Sequence, residues 1–327
     1  MSGPEVAPSG GRSRRVLVLG GTGLIGSRVV TRLLKAGIPV TTLSRRGYLG
    51  GDPAPSQLRV VTGDVSDAAV LGDAIRDADQ VVYAVSSGTP QIPSSTPLAD
   101  MERAIGPLLV VLEAMRIGSG MRLFFLSSGG AVYGNPTSLP VTEDAPTAPI
   151  SPYGVWKLAA EKYIAMYGHV YGIQYCIVRA GNVYGDGQVI RHGHGAVATV
   201  LQAAETSRAV HVLGNGDDLR DYVFADDLAH VLVELVTRSN LPQVINVGTG
   251  QGTSIRQLIA IIEQVTGTTI RAGHVPPRPF DVGSIVLDSN RLSTLVEWLP
   301  TPLQVGIAGI WKRLQGKEAR ALGEALN

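Results

Sequence analysis

Tyr153 and Lys157 stand four residues apart in the run Ser151-Pro152-Tyr153-Gly154-Val155-Trp156-Lys157. Ser151 suits a helix N-cap and Pro152 the first helical position, so the pair shares one helix face. A phenol has a pKa of about 10, too high to exchange its proton freely at neutral pH. A neighbouring ammonium stabilises the phenolate and brings the group toward the working range. The chemistry this spacing allows is proton transfer to a carbonyl oxygen, or from an alcohol, while a hydride moves. Lys157 can also hold the ribose of a nicotinamide.

A hydride needs a carrier, and the start of the chain offers a place for one. Val16 to Leu19 run straight into Gly20-Gly21-Thr22-Gly23-Leu24-Ile25-Gly26. Leu24, Ile25, Val29, Val30, Leu33 and Leu34 then recur at helical spacing, and Gly37 is placed to end the helix. This reads as a buried parallel strand, a tight turn and a helix. Glycine at 20, 23 and 26 lets the backbone turn sharply and approach a pyrophosphate, which the helix N-terminus attracts. An ordinary strand-to-helix turn is the plainer alternative. The strand before and the helix after favour a dinucleotide site. Contacts to it are expected from Gly20, Thr22, Gly23, Leu24, Ile25 and Gly26, from Lys157, and from the ends of later strands at Asp64, Val65, Ala84, Val85 and Ser86.

The end of the second strand selects the dinucleotide. An acidic residue about twenty positions past the glycine turn would bind ribose hydroxyls and repel a 2′-phosphate. Ser44-Arg45-Arg46 stands there instead, with two guanidinium groups for a phosphate. NADP(H) is the expected cofactor, with NAD(H) the alternative; solvated surface charges would also account for both arginines. Asp64 either accepts from the adenine amine or forms an Asx turn. Ser127 and Ser128, in Leu126-Ser127-Ser128-Gly129-Gly130-Ala131-Val132-Tyr133-Gly134, end the fifth strand. A hydroxyl there can bond the reacting oxygen, or merely satisfy turn backbone.

The elements that must position these residues follow from periodicity. Strands are expected at 39–43, 58–62, 80–84, 122–126, 174–178 and 244–247, and helices at 68–77, 98–117 and 151–171, with Gly106-Pro107 kinking the second of these. Strands alternating with helices imply a parallel doubly wound α/β sheet of Rossmann type. Residues 14–181 are read as the dinucleotide-binding domain, and 1–13, rich in Gly, Pro and Ser, as a loose tail. Residues 182–327 are read as a smaller, discontinuous substrate lobe, with 220–250 returning to the large sheet.

The chain has 327 residues, 28 Lys plus Arg against 27 Asp plus Glu, and one cysteine, Cys176. Near-neutral charge argues against a nucleic-acid partner. One cysteine excludes an intrachain disulfide and a cysteine metal cluster. No apolar run reaches membrane-span length and no apolar signal core stands at the N-terminus, so a cytoplasmic protein without a membrane partner is expected. His192 and His194 flank Gly193 without nearby carboxylate or cysteine, which suits a substrate loop better than a metal.

With these motifs in hand, the chain resembles the extended short-chain dehydrogenase/reductase family, in its branch of nucleotide-sugar epimerases, dehydratases and reductases. The likeness runs from about Arg15 to about Pro302. The family's glycine turn spans Leu19 to Gly26, with Leu19 in place of the usual threonine. Its Y-x-x-x-K pair is Tyr153 and Lys157, and its S-S-x-x-x-V-Y-G segment is Ser127 to Gly134. Its N-x-Y-G turn begins at Asn182, its R-D-Y-x-x-x-D-D segment at Arg220 and its R-P-x-D segment at Arg278.

The resemblance implies that Asn182 and Gly129 face the sugar, that Arg220 and Arg278 meet a nucleotide diphosphate, and that the chain pairs as a homodimer through the helices beginning near Leu98 and Tyr153. For Arg220, a salt bridge to Asp217, Asp218 or Asp221 is the competing role. Two departures shape the expected activity. Gly129 stands where the family carries its catalytic Ser or Thr, leaving Ser128 or Ser127 as the hydroxyl. Ser44-Arg45 suits an enzyme drawing on free NADPH. The segment has no Asp-Glu pair for a 4,6-dehydratase. An NADPH-dependent ketoreductase acting on a keto group, at C4, of a nucleotide-activated sugar or related sugar derivative is therefore expected first. A 4-epimerase comes second and a non-catalytic dinucleotide sensor third.

Overall fold

A computed structural model describes residues 15–47, 55–85, 97–118, 120–188 and 195–325. The chain opens with β1 (Val16–Leu19), α1 (Leu24–Lys35), β2 (Val40–Ser44), β3 (Leu58–Thr62), α2 (Ala68–Ile75), β4 (Gln80–Tyr83), α3 (Pro97–Ile117) and β5 (Arg122–Ser128). It continues with α4 (Gly129–Val132), α5 (Pro152–Tyr171), β6 (Gln174–Ala180), β7 (Asn182–Tyr184), α6 (Ala196–Thr206) and β8 (Val210–Leu213). It ends with β9 (Leu219–Phe224), α7 (Ala225–Val236), β10 (Val244–Val247), β11 (Gly252–Ser254), α8 (Ile255–Thr266), β12 (Ala272–Val275), α9 (Asn290–Ser293) and α10 (Leu303–Ala325).

Seven parallel strands form the main sheet in the order β3-β2-β1-β4-β5-β6-β10. Its central strands are mostly apolar because helices cover both faces. Alternation still sorts the side chains. Val16 and Val18 of β1, with Phe124 and Leu126 of β5, pack toward α1 and α7. Leu17, Leu19, Leu123 and Phe125 pack toward α2, α3 and α5. The fold is Rossmann-like, as the alternation of strands and helices implies.

Beyond Gly181 the chain builds a second body on a separate core. β7 and β9 run parallel, with β11 antiparallel beside β9, and β8 pairs with β12. Tyr184, Val200, Leu201, Leu258, Ile262, Ile307 and Ile310 are buried beneath. Within 220–250, β9 stands in the three-stranded sheet, whereas α7 packs on α1 and β10 extends the large sheet beside β6. The helix predicted at 98–117 runs from Pro97 to Ile117 with Pro107 inside it. Among the described residues, no helix is long and apolar enough to cross a membrane.

Candidate active site

The glycine turn closes around two backbone contacts that side chains would prevent. Gly20 has φ +81°, and a Cβ there would lie 2.9 Å from the Ala84 carbonyl oxygen. A Cβ on Gly26 would lie 2.2 Å from the Gly20 carbonyl oxygen, so only glycine lets α1 pack against the turn. Gly23 caps α1 without a side-chain bond, and no acidic residue stands in its first turn. The first-turn N–H groups suit an anion, as a pyrophosphate requires. Ile25 and Leu24 begin the helix there, and Thr22 sits in the turn itself. Ala84 and Val85 continue from β4 beside it, the Ala84 N–H donating to the Leu19 carbonyl at 3.0 Å. Ser86, His192 and His194 lie outside the described residues.

At the end of β2 the Ser44 hydroxyl turns back and donates to the Gly47 carbonyl at 3.0 Å. Arg45 and Arg46 are exposed. Asp64 accepts from the Ser66 N–H (3.0 Å) and hydroxyl (2.6 Å), which closes an Asx turn. Those two bonds hold its carboxyl below the usual range, and the charge of nearby Arg45 adds to them. Val65 is buried next to it.

The helix that carries Tyr153 and Lys157 starts as its sequence dictates. Ser151 accepts from the Gly154 N–H at 3.1 Å, Pro152 follows it, and left-handed Gly172 ends the helix. Lys157 is 4% exposed. Its Nζ donates to the Leu126 carbonyl at 2.7 Å, lies 4.8 Å from the Phe125 ring centroid and 6.0 Å from that of Tyr153. Burial pushes the ammonium down to about 8, and the charge of Glu161 opposes the shift. Tyr153 packs edge-on against Trp156 at 4.7 Å. Burial raises its phenol, and a hydrogen bond with the Ser128 side chain works the other way.

The two serines at the end of β5 part company. The Ser127 hydroxyl faces α5 and donates to Glu161 at 2.5 Å, whereas Ser128 meets Tyr153. Gly129 has no room for a side chain, since a Cβ would fall 2.6 Å from Leu287 Cδ1. A Cβ on Gly130 would lie 2.8 Å from Asn182 Oδ1 and 3.9 Å from Ser128 Oγ, so the Asn182 amide stands close to this corner.

Arg220 donates to the carbonyls of Leu219, Val282 and Gly283 at 2.6–2.9 Å. Of its three candidate acidic partners, Asp217 pairs with Arg256 and Asp221 accepts from Thr249, Gly250 and Leu287. Arg278 pairs with Asp281 at 2.6 Å and lies 4.9 Å from the Phe280 ring centroid. Burial pushes the Asp281 carboxyl up, but its bonds to Arg278, with the charge of Arg220, hold it below the usual range. Both arginines therefore gather around Asp281.

Sequence reasoning missed a buried polar cluster behind the pair. Glu161 binds Arg179, Arg179 binds the Tyr133 hydroxyl, and Tyr133 donates to Asn246 Oδ1. The available signal was Glu161 itself, one helical turn past Lys157 on the same face.

A glycine cradle at the first crossover and a Tyr/Lys pair at the end of β5 define a dinucleotide-dependent enzyme of the extended short-chain dehydrogenase/reductase type. Residues 16–248 match the NAD dependent epimerase/dehydratase family, and the chain belongs to that family. It is 32% identical over 309 residues to the UDP-glucose 4-epimerase of Mycolicibacterium smegmatis, covering 92% of this chain and 97% of that one. It is 34% identical over 308 residues to the UDP-glucose 4-epimerase of Azospirillum brasilense, covering 88% of each. Among solved structures it resembles the UDP-glucose 4-epimerase of Thermus thermophilus in complex with NAD, with TM-score 0.83 and 30% identity over 92% of this chain and 99% of that one. The Thermotoga maritima UDP-glucose 4-epimerase with UDP-glucose gives TM-score 0.84 and 28% identity, over 93% and 99%.

Proposed function

We propose that the protein is an NAD(P)-dependent nucleotide-sugar 4-epimerase acting on a UDP-hexose. The observation that carries this reading is the meeting of Ser128, Tyr153 and Lys157 at the end of β5, on the same sheet as a glycine turn whose helix N-terminus suits a pyrophosphate. Relatives named as UDP-glucose 4-epimerases support it over the ketoreductase expected first, because they span nearly the whole chain.

A bound nicotinamide supplies the hydride acceptor and, in the return step, the donor. Tyr153 takes the proton of the C4 hydroxyl and later returns it to the oxygen of the keto sugar. Ser128 holds that oxygen by a hydrogen bond. Lys157 favours the phenolate by charge and spends one N–H on the Leu126 carbonyl, which leaves donors for the nicotinamide ribose. Asn182 orients the sugar, and Arg220 and Arg278 meet the diphosphate. The shield of α3 and α5 leaves Met101, Val155, Tyr163, Met166 and Val170 exposed, which fits a homodimer through those helices.

The direct test incubates purified protein with UDP-glucose and, separately, UDP-galactose, and resolves the products by anion-exchange chromatography. Interconversion without net consumption of nicotinamide is expected. No interconversion of any UDP-hexose pair would overturn the reading. The exposed Arg45-Arg46 edge, with no carboxylate at the end of β2, favours a second reading, an NADPH-dependent ketoreductase on the same sugars. Stoichiometric loss of NADPH with a 4-keto sugar nucleotide would select it.

A further inference from the structure

The buried cluster behind the Tyr153–Lys157 pair has no part in the mechanism above. Glu161 is 4% exposed, and its carboxylate accepts from Arg179 Nη2 at 2.7 Å, from Arg179 Nε at 3.1 and 3.2 Å, and from the Ser127 hydroxyl. Ser127 and Arg179 are cross-strand neighbours on β5 and β6. Ser127 lies between two residues the pair depends on. The carbonyl of Leu126 holds Lys157 Nζ, and the side chain of Ser128 meets Tyr153.

We propose that Glu161 is a positioning residue for proton transfer: through Ser127 it fixes the last turn of β5, so that the Leu126 carbonyl and the Ser128 hydroxyl stay in register with Lys157 and Tyr153 on the helix that Glu161 itself belongs to. This inference rests on Tyr153 and Lys157 being the proton-transfer pair.

Two features separate this role from a plain internal ion pair. The carboxylate is bound from two sides, by strand and by guanidinium, so it cannot swing. Arg179 is itself held by the Tyr133 hydroxyl at 3.0 Å and the Glu143 carbonyl at 3.3 Å. The charge also reaches the pair. Lys157 faces Tyr153 and Glu161 on α5 and the Phe125 ring on β5, with Arg179 of β6 beyond Glu161. Glu161 is the acidic group that opposes the loss of its proton.

The test compares Glu161→Gln and Ser127→Ala in the full chain loaded with dinucleotide. It reads kcat and KM against pH, and it also titrates the Tyr153 phenol by ultraviolet absorbance, with Tyr153→Phe as the blank. For Glu161→Gln we expect kcat to fall about tenfold or more, as befits general acid–base chemistry put out of register, with KM little changed. Its alkaline limb should move to lower pH, because the ammonium has lost its carboxylate, and the phenol midpoint should move up, because Ser128 out of register no longer holds the phenolate. Ser127→Ala should lower kcat and leave the alkaline limb in place.

A Glu161→Gln protein that melts cooperatively and keeps both kcat and the phenol midpoint would overturn the proposal. Where Glu161→Gln fails to fold, Glu161→Gln/Arg179→Met removes both buried charges together. An unmoved phenol midpoint in that variant would overturn the proposal equally. The phenol titration uses no sugar substrate. Failure of the epimerase reading therefore shows as absent turnover with the midpoint shift intact, and failure of the positioning role shows as the reverse.

Discussion

Lys157 is the residue whose physics most directly opposes its role. Its ammonium is buried, and its pKa sits at about 8 against an ordinary 10.5. A depressed lysine destabilises the fold at every pH below its folded value. The penalty is relieved between about 8 and 10.5, where the folded state sheds the proton first. The shift corresponds to about 3 kcal/mol, and the bond to the Leu126 carbonyl returns about 1. Lys157→Met should therefore stabilise the protein by about 2 kcal/mol at pH 7 while abolishing turnover. Thermal melts at pH 7 and pH 10 check this, and the gain should shrink at the higher pH.

Tyr153→Phe should lose activity by roughly 10²- to 10⁴-fold with an unchanged melt, the range a general acid–base contributes. Gly129→Ser restores the hydroxyl the family carries at that position, yet it should destabilise by about 1–3 kcal/mol because Leu287 fills the space. Leu287→Ala in the same chain should recover part of that loss on a denaturant melt.

The Tyr/Lys pair was legible because helical spacing alone puts both on one face. The split between Ser127 and Ser128 was not. Both phases of β5 are apolar, Leu123 and Phe125 alternating with Phe124 and Leu126, so alternation cannot say which phase meets α5.

At the scale of elements, α5 does two jobs with two faces. Gly154, Lys157, Ala160, Glu161 and Ile164 point into the molecule. Tyr163, Met166 and Val170 point outward and are 40–55% exposed. Apolar side chains clustered like this on one helix form the patch on which the proposed homodimer rests. On the homodimer proposed above, Val170→Glu combined with Met166→Lys should lower the mass to that of a single chain in light scattering behind size exclusion. An unshifted mass would remove these helices from the interface.

The end of β2 makes the corresponding argument for the dinucleotide. The absence of an acid there was plain in Ser44-Arg45-Arg46. What the sequence left open was Asp64, and the structure ties its carboxylate to Ser66 in an Asx turn beside Arg45. Arg45→Asp should weaken NADPH binding and strengthen NADH binding in separate fluorescence titrations. Unchanged affinities would leave both arginines as solvated charge.

For the molecule as a whole, the question is what joins the second body to the sheet that holds the chemistry. The seven expected strands all stand in the large sheet, since short runs rich in apolar and β-branched residues bounded by turns suffice to find them. The small sheet escaped notice for a physical reason. β7 and β11 have three residues each, too few to show a period, and β7 pairs with β9 across an intervening helix and strand.

One joint between the two bodies is Asp221. This carboxylate, 1% exposed on β9, accepts from the Thr249 N–H and hydroxyl at 2.7 Å each, and from the N–H groups of Gly250 and Leu287 at 3.1 Å. Thr249 and Gly250 lie in the loop that leaves β10 of the large sheet, and Leu287 packs over Gly129. Arg220, the next residue on β9, is held by the carbonyls of Val282 and Gly283. This buried carboxylate thus ties β9, which carries Arg220, to the loop after β10 and to the Leu287 backbone beside Gly129.

Asp221→Asn keeps the size but turns half of the acceptor into a donor that faces N–H groups. The buried mismatch should cost about 2–4 kcal/mol on a denaturant melt. Because the joint serves the second body rather than the glycine turn, UDP affinity should fall while dinucleotide affinity holds, read by calorimetry with each ligand alone. Equal loss of both would mean that Asp221 supports the fold as a whole and does not set the spacing between the two halves of the site.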